Sequence, residues 1–289
     1  MHLGVITNRA RDEGLGVARP LIGWLRERGI RVTLDPDLAR DLEEETTDLA
    51  EWTEMGMDFI IVLGGDGTLL QTARRTHHLD LPLLGINLGR LGFLTEIELG
   101  ELYEDLPDFL EGNYEEDHRH LIKATIFRDE DCVEEFLALN DVVIGKGSFS
   151  RMVDIRAWVD GALMGRYRAD GIILSTATGS TAYSLSAGGP IVHPRLKVLV
   201  VTPVCPHSFY ARPVVLSENQ VVKIRGDYRH HDGHPLLTVD GRRGRSLVEG
   251  DTVDARLSDR TITLLRHQGW NFYEVLQRKF SNMEGIADW

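Results

Sequence analysis

Five apolar residues run into three glycines wrapped round one carboxylate in Phe59-Ile60-Ile61-Val62-Leu63-Gly64-Gly65-Asp66-Gly67-Thr68, and everything else in the chain is read outward from that junction. An unbroken run of this kind predicts a strand buried on both faces of a parallel sheet. The glycines stop it, and Thr68 to Arg75 predicts the start of a helix. A strand, a glycine turn and a helix make the junction at which open α/β sheets bind phosphorylated ligands, outside the carboxyl ends of the strands. Glycine lets the backbone approach a phosphate, and its N–H groups point at the anion. Asp66 is the unusual member, because a carboxylate repels phosphate unless it holds a metal or handles a proton. A tight turn in which Asp66 caps the helix is the plainer reading, and this stretch alone leaves both open.

Upstream, Leu3 to Asn8 predicts a first strand, Val17 to Arg28 an amphipathic helix ended by Gly29, and Ile30 to Leu34 a second strand. Asp35 to Glu54 is acidic and reads as partly helical or mobile. Downstream of the glycines, a helix to about His78 leads to a strand at Leu81 to Asn87 and a linking helix at Leu99 to Glu111. Strands alternating with helices predict a Rossmann-like parallel sheet with covered faces. After about Arg119 strand-like runs follow one another with few helices between them: His120 to Arg128, Glu134 to Ile144, Met152 to Val159, Gly171 to Ser175, Lys197 to Pro203, Gln220 to Ile224, Leu236 to Val239 and Thr252 to Leu257. Asp160-Gly161 and Asp240-Gly241 read as hairpin turns. The expected architecture is an α/β domain over 1–118, completed by a helix within 271–289, and a β-rich, sandwich-like domain over 119–270.

The 289 residues leave room for two domains. A net charge of −13 argues against a nucleic-acid partner, which needs a basic face, so any phosphorylated ligand must be met by local arginines, backbone amides or a divalent cation. No apolar run reaches membrane-spanning length. The segment Met1 to Thr7 reads as a strand rather than a signal peptide, so a cytoplasmic protein without membrane partners is expected. Cys132 and Cys205 have neither disulfide-framework nor metal-ligand spacing.

A second loaded stretch, Asp170 to Pro190, is dense in glycine and small hydroxyl residues around one aromatic, Tyr183. Hydroxyls, amides and one ring suit a nucleotide. A Ser/Thr-rich loop that satisfies its own backbone fits equally well. Gly145-Lys146-Gly147-Ser148 reads as a turn and not a phosphate loop of the GxxxxGK type, because Asn140 stands where that motif needs glycine. His230-His231-Asp232-Gly233-His234 reads as a solvated turn rather than a metal site. Asn140-Asp141, taken alone, is a turn signal at the end of a strand.

Together these stretches resemble the NAD kinase family, whose members make NADP from NAD with ATP or polyphosphate. The matching pieces run in order over nearly the whole chain: Gly64 to Thr68, Asn87-Leu88-Gly89-Arg90-Leu91-Gly92-Phe93-Leu94, Leu139 to Ile144, Asp170-Gly171 with Ser175 to Pro190, and Val239-Asp240-Gly241. The first piece is shared with lipid kinases and phosphofructokinase-like enzymes. Thr178 to Tyr183 together with Asn140-Asp141 is more specific. A kinase of a lipid or sugar and a dinucleotide-binding regulator without catalysis are the rival functions.

The resemblance implies an α/β and a β-rich domain with the ligand between them, in a homodimer or homotetramer whose neighbouring subunit can complete the site. It implies that Asp66 acts on the 2′-hydroxyl of the adenosine ribose, with Gly67 beside it. Gly64, Gly65, Gly67 and Thr68 would line the phosphate path, and Mg²⁺ would arrive on the phosphate donor with no protein ligand assigned. Asn140 and Asp141 would bond the adenine or its ribose. Thr181, Ala182, Tyr183, Ser184, Leu185 and Ser186 would shape that pocket. Asp170 would meet the nicotinamide end, and Arg151, Arg168 and Arg242 join the NAD contacts. The family usually has proline where Ala177 stands, often Glu at Asp141, and in some members Gln at Arg242. Arg168 matches an arginine of members that prefer NAD to NADH, a preference expected here too.

Overall fold

The computed structural model describes residues 1–89, 92–147, 152–208, 210–227 and 235–284. The chain divides into two units, residues 1–118 with 262–289, and residues 119–261.

The first unit begins with β1 (His2–Thr7), α1 (Ala18–Glu27), β2 (Arg31–Leu34) and α2 (Pro36–Asp41). It continues with β3 (Phe59–Gly64), α3 (Asp66–Thr76), β4 (Leu83–Asn87), the two-residue β5 (Ile97–Glu98) and α4 (Leu102–Leu110). The strands lie in the order β2-β1-β3-β4, all parallel, with β5 also parallel to β4. Every residue of β3 is buried, as a parallel strand covered on both faces requires. Leu21, Ile22 and Leu25 of α1 and Leu102, Leu106 and Phe109 of α4 pack with strand residues Leu3, Val5, Ile61, Leu63 and Ile86 in one apolar core. Each such side chain contributes on the order of 1.5–3 kcal/mol by leaving water. The acidic stretch after β2 forms α2 and a 3₁₀ segment, Leu49–Met55, whose fully buried Trp52 sits where a side chain on Gly4 would stand.

The second unit is built from β6 (Tyr114–Arg128), β7 (Asp131–Ala138), β8 (Asp141–Gly145), β9 (Val153–Val159), β10 (Ala162–Ala169) and β11 (Gly171–Thr176). After the short helix α5 (Tyr183–Ser186) come β12 (Val198–Val204), β13 (Val214–Ser217), β14 (Val222–Asp227), β15 (Leu236–Val239), β16 (Arg242–Ser246) and β17 (Thr252–His267). The helix α6 (Phe272–Glu284) follows. β6 starts before the unit boundary, and the last residues of β17 belong to the first unit, where Leu264 pairs parallel with Leu83. A six-stranded antiparallel sheet runs β13-β12-β11-β8-β15-β16. A second layer runs β10-β9-β14-β17, with β6 paired to β17 and β7 paired to β6. Ile144, Ile172 and Leu237 of one layer share a core with Ile155, Ile224 and Val253 of the other, which is the expected sandwich. Asp160 and Gly161 both have positive φ (48° and 83°), as do Asp240 and Gly241 (47° and 72°), the conformation two-residue hairpin turns demand.

Several boundaries depart from the sequence reading. The expected strand over Glu134 to Ile144 is two strands, so Asn140 lies in the break and Asp141 opens β8 rather than closing a strand. β17 runs ten residues past the expected Leu257, because its polar middle, Ser258-Asp259-Arg260, hides the continuation. β13 had no strand signal, and β16 was signalled only by the hairpin turn before it; both are edge strands, where burial patterning is weak.

Candidate functional site

In the first unit the site residues stand where β3 meets α3. Gly65 is the residue before the helix, and α3 begins at Asp66, two residues earlier than expected. Asp66 therefore is not the cap. Its carboxylate turns away from its own helix and accepts hydrogen bonds from the amides of Phe93 (2.8 Å) and Leu94 (3.1 Å). Gly92 must be glycine for this arrangement, because a β-carbon there would fall on the Asp66 carboxylate. Thr68 and Leu69 donate their amides back to the Gly65 carbonyl, while the amides of Asp66 and Gly67 donate to no described residue. Thr68 is buried and accepts a hydrogen bond from Asn8 Nδ2 (2.9 Å), which fixes the loop after β1 to the first turn of α3. Gly64 lies so close to the Thr68 side chain that a β-carbon would overlap it.

The segment that holds Asp66 is itself held. Arg266, fully buried, donates to the carbonyls of Phe93, Leu94 and Thr95 and pairs with Glu96 (2.8 Å) and Asp117 (3.2 Å). A charge this deep is tolerated only when paired and fully hydrogen-bonded. No local sequence signal connects Arg266 to the glycine junction.

In the second unit the hydroxyl-rich stretch divides by face. Thr176 donates to the Leu139 carbonyl (2.7 Å) and receives the Gly179 amide (3.0 Å). Ser180 bonds the Ala177 carbonyl and the Val192 amide, and fully buried Ser184 bonds Thr202 (2.9 Å). These hydroxyls satisfy the fold itself, so Ser184 presents no free hydroxyl outward. The other face is different: Tyr183 is 46% exposed and Ser186 is exposed, with Thr181, Ala182 and Leu185 half-buried. A large ring held in water on a rigid turn is a stacking surface. Gly179 packs on the backbone of Asn140, where a β-carbon would collide, and so brings Asn140 against the turn before α5.

Asp240 organises the Asn140-Asp141 pair. Its carboxylate accepts three successive amides, from Leu139 (3.0 Å), Asn140 (2.7 Å) and Asp141 (3.1 Å). The sequence marks Asp240 as a turn residue within a matching piece and gives no sign of these three bonds. The Asp141 carboxyl is buried, and its pKa is pushed up to about 7, first by loss of solvent and then by the neighbouring Asp240 charge. Half-buried Asp170 pairs with Lys146 (2.8 Å), while Arg168 and Arg242 are exposed. Arg151, Arg90, Leu91 and Ser148 lie outside the described residues, as does the His230 to His234 segment. Among the described residues no group of three His, Cys, Asp or Glu side chains is arranged to hold a metal, and no helix is long and apolar enough to cross a membrane.

A carboxylate locked at a glycine-rich strand–helix turn can orient a hydroxyl and take its proton while free amides of the same turn receive phosphate. Joined in one chain to a β-rich unit with a presented aromatic turn, that is the build of a nucleotide-dependent phosphotransferase. The family models for the ATP-NAD kinase N-terminal and C-terminal domains match residues 3–114 and 139–267. The chain is 42% identical over 279 residues to an NAD kinase of Syntrophotalea carbinolica, covering 96% of this chain and 97% of that one. It is 43% identical over 270 residues to an NAD kinase of Geobacter metallireducens, covering 91% and 92%. Among solved structures it resembles a yeast NADH kinase complexed with NADH, at TM-score 0.84 and 24% identity over 100% of this chain and 89% of that one. It also resembles an Archaeoglobus fulgidus NAD kinase in complex with ATP, at TM-score 0.74 and 23% identity over 99% and 100%. The chain belongs to the NAD kinase family.

Proposed function

We propose that this protein transfers the terminal phosphoryl group of ATP to the 2′-hydroxyl of the adenosine ribose of NAD, giving NADP and ADP. Family membership over nearly the whole chain supports this reading and disfavours a lipid or sugar kinase. The observation that carries the chemistry is the Asp66 carboxylate fixed by the Phe93 and Leu94 amides. Phosphoryl transfer passes through a loose transition state, so catalysis rests on positioning and charge neutralisation. Asp66 orients the 2′-hydroxyl and takes its proton as the new O–P bond forms and the bond to ADP breaks. The amides of Asp66 and Gly67, with Gly64, Gly65 and Thr68 shaping the turn, receive the donor phosphates. Mg²⁺ enters on ATP as part of that substrate.

Asn140 and Asp141 bond the adenine or its ribose, Tyr183 offers a stacking face, and Thr181, Ala182, Leu185 and Ser186 complete that pocket. Arg168, Asp170 and Arg242 serve the NAD site, with Asp170 toward the nicotinamide end. A cytoplasmic homodimer or homotetramer is the assembly the family resemblance implies.

The test is NADP formation from NAD and MgATP by the purified protein, with polyphosphate and NADH as parallel substrates. Wild-type protein is expected to form NADP with ATP and to turn over NADH far more slowly, the preference that the family resemblance at Arg168 implies. Asp66→Asn should lose roughly 10²–10⁴ in kcat, the usual worth of a general base, while still binding NAD. Activity within a few-fold of wild type would overturn the role of Asp66. NAD binding without any NADP would mark a non-catalytic regulator.

A further inference from the structure

The parallel sheet of the first unit reverses its winding between β1 and β3. The chain steps from β1 outward to β2, then returns to place β3 on the other side of β1 and β4 beyond it. Loops leaving the carboxyl ends of two strands that flank such a reversal diverge, and ligands bind in the opening they leave. Here those loops are Asn8 to Asp12 after β1 and the glycine turn after β3. They are fastened together: the Asn8 amide donates to the Leu63 carbonyl (2.8 Å), and its side chain donates to Thr68. Buried Asp12 anchors the far end of the first loop by accepting the amides of Val17 (2.8 Å) and Ala18 (3.0 Å).

Arg11 stands on this loop with its guanidinium laid over the glycine turn. A β-carbon built on Gly65 would lie 2.9 Å from Arg11 Nη1, and one built on Gly89 would lie 3.1 Å from the same nitrogen. Arg11 is exposed, and no described residue pairs with its guanidinium. Neighbouring arginines are already committed, Arg9 to Asp41 and Arg75 to Asp35. In a chain of net charge −13, an exposed cation with no described partner, set beside side-chain-free backbone, is placed to meet an anion from outside.

We propose that Arg11 binds the phosphate chain of the phosphoryl donor, gripping it from the β1 loop against the amides of the glycine turn. The planar guanidinium can give two parallel hydrogen bonds to phosphate oxygens, which fixes orientation as well as charge. Arg11 is a donor-binding residue and has no part in recognising NAD. The assignment rests on the kinase reading above.

The test compares wild type with Arg11→Gln and Arg11→Lys. Because Arg11 has no partner among the described residues, both variants should melt at the wild-type temperature. Loss of a charge-assisted contact should raise the KM for MgATP about tenfold or more in Arg11→Gln while the KM for NAD stays put. Arg11→Lys, which keeps the charge but loses the fork, should fall between. A KM for MgATP within twofold of wild type in Arg11→Gln, or an equal rise in the KM for NAD, overturns the proposal. Calorimetric titration with inorganic tripolyphosphate tests the residue without turnover. Wild-type binding that weakens in Arg11→Gln supports the role even if no NADP is formed, whereas equal binding in both refutes it.

Discussion

Asp141→Asn replaces a buried, protonatable carboxyl with a neutral group of the same shape. In the folded chain the Asp141 carboxyl titrates at about 7, against 3.8 in an open peptide. Between those values the native state holds a proton that the unfolded chain has released. Stability therefore falls as pH rises across that interval, and the loss is complete once pH passes the folded pKa. The gap corresponds to about 4 kcal/mol at alkaline pH, a large share of the 5–15 kcal/mol typical of a folded domain. Asn carries no such linkage. The assay is urea unfolding of both proteins from pH 5 to pH 8.5, without ligands. The stability of the variant relative to wild type should rise by about 1.4 kcal/mol per pH unit up to neutrality and level off near pH 8. A difference constant across the range would show that Asp141 is ionised throughout and that its burial beside Asp240 does not raise its pKa. If Asp141 contacts NAD as proposed, the same proton decides whether it donates or only accepts, so the wild-type Kd for NAD should change between pH 6 and 8 while that of the variant stays flat.

Two further substitutions probe how the reacting groups are held. Arg266→Met should cost about 3–5 kcal/mol, because Glu96 and Asp117 are left buried without their cation. Chemical denaturation measures it, and a cost under 1 kcal/mol would refute the account. The same variant should lose kcat with little change in either KM, since the Phe93 and Leu94 amides that hold Asp66 lose their support. Gly179→Ala forces a methyl group into the Asn140 backbone. It should cost about 1–3 kcal/mol of stability and weaken NAD binding about tenfold through displacement of Asn140, both checked by denaturation and by titration with NAD. An unchanged Kd would mean that Asn140 is not held by this contact.

How far the sequence could be read depends on the range over which each feature is determined. β3, its glycine turn and α3 were legible because strand burial, chain reversal and helix initiation are written in adjacent residues. The hairpins at Asp160-Gly161 and Asp240-Gly241 were legible for the same reason. The position of Asp66 in its helix was not, since its carboxylate is claimed by amides 27 and 28 residues away. The break before Asp141 was equally hidden: the amides of residues 139–141 are taken by a carboxylate about 100 positions later. Ser184 and Tyr183 show the limit for the site itself. Composition marks both as nucleotide contacts, but only the backbone turn decides that one hydroxyl bonds Thr202 inside the fold while the ring beside it meets water.

The two carboxylates, Asp66 proposed as the base and Asp141 proposed for recognition, also show why residue type alone does not fix a role. Asp66 is half-buried and receives two backbone amides, which fix the direction of its oxygens without closing them off. Asp141 is buried and faces a second carboxylate that has already taken the local amides. A base must be aimed and must release its proton after each turnover. A recognition group gains from being desolvated, because every hydrogen bond it makes there is strengthened and a mismatched ligand leaves it unpaired. Supporting groups distant in sequence produce both environments: Gly92 and Arg266 around the segment that holds Asp66, and Asp240 and Gly179 around Asn140-Asp141. Exchanging Asp66 for another carboxylate would therefore preserve the chemistry only if Gly92 still left room for it. At Asp141 the family's frequent Glu must reach the same buried position with one more methylene, against an Asp240 anchor that fixes the strand beneath it.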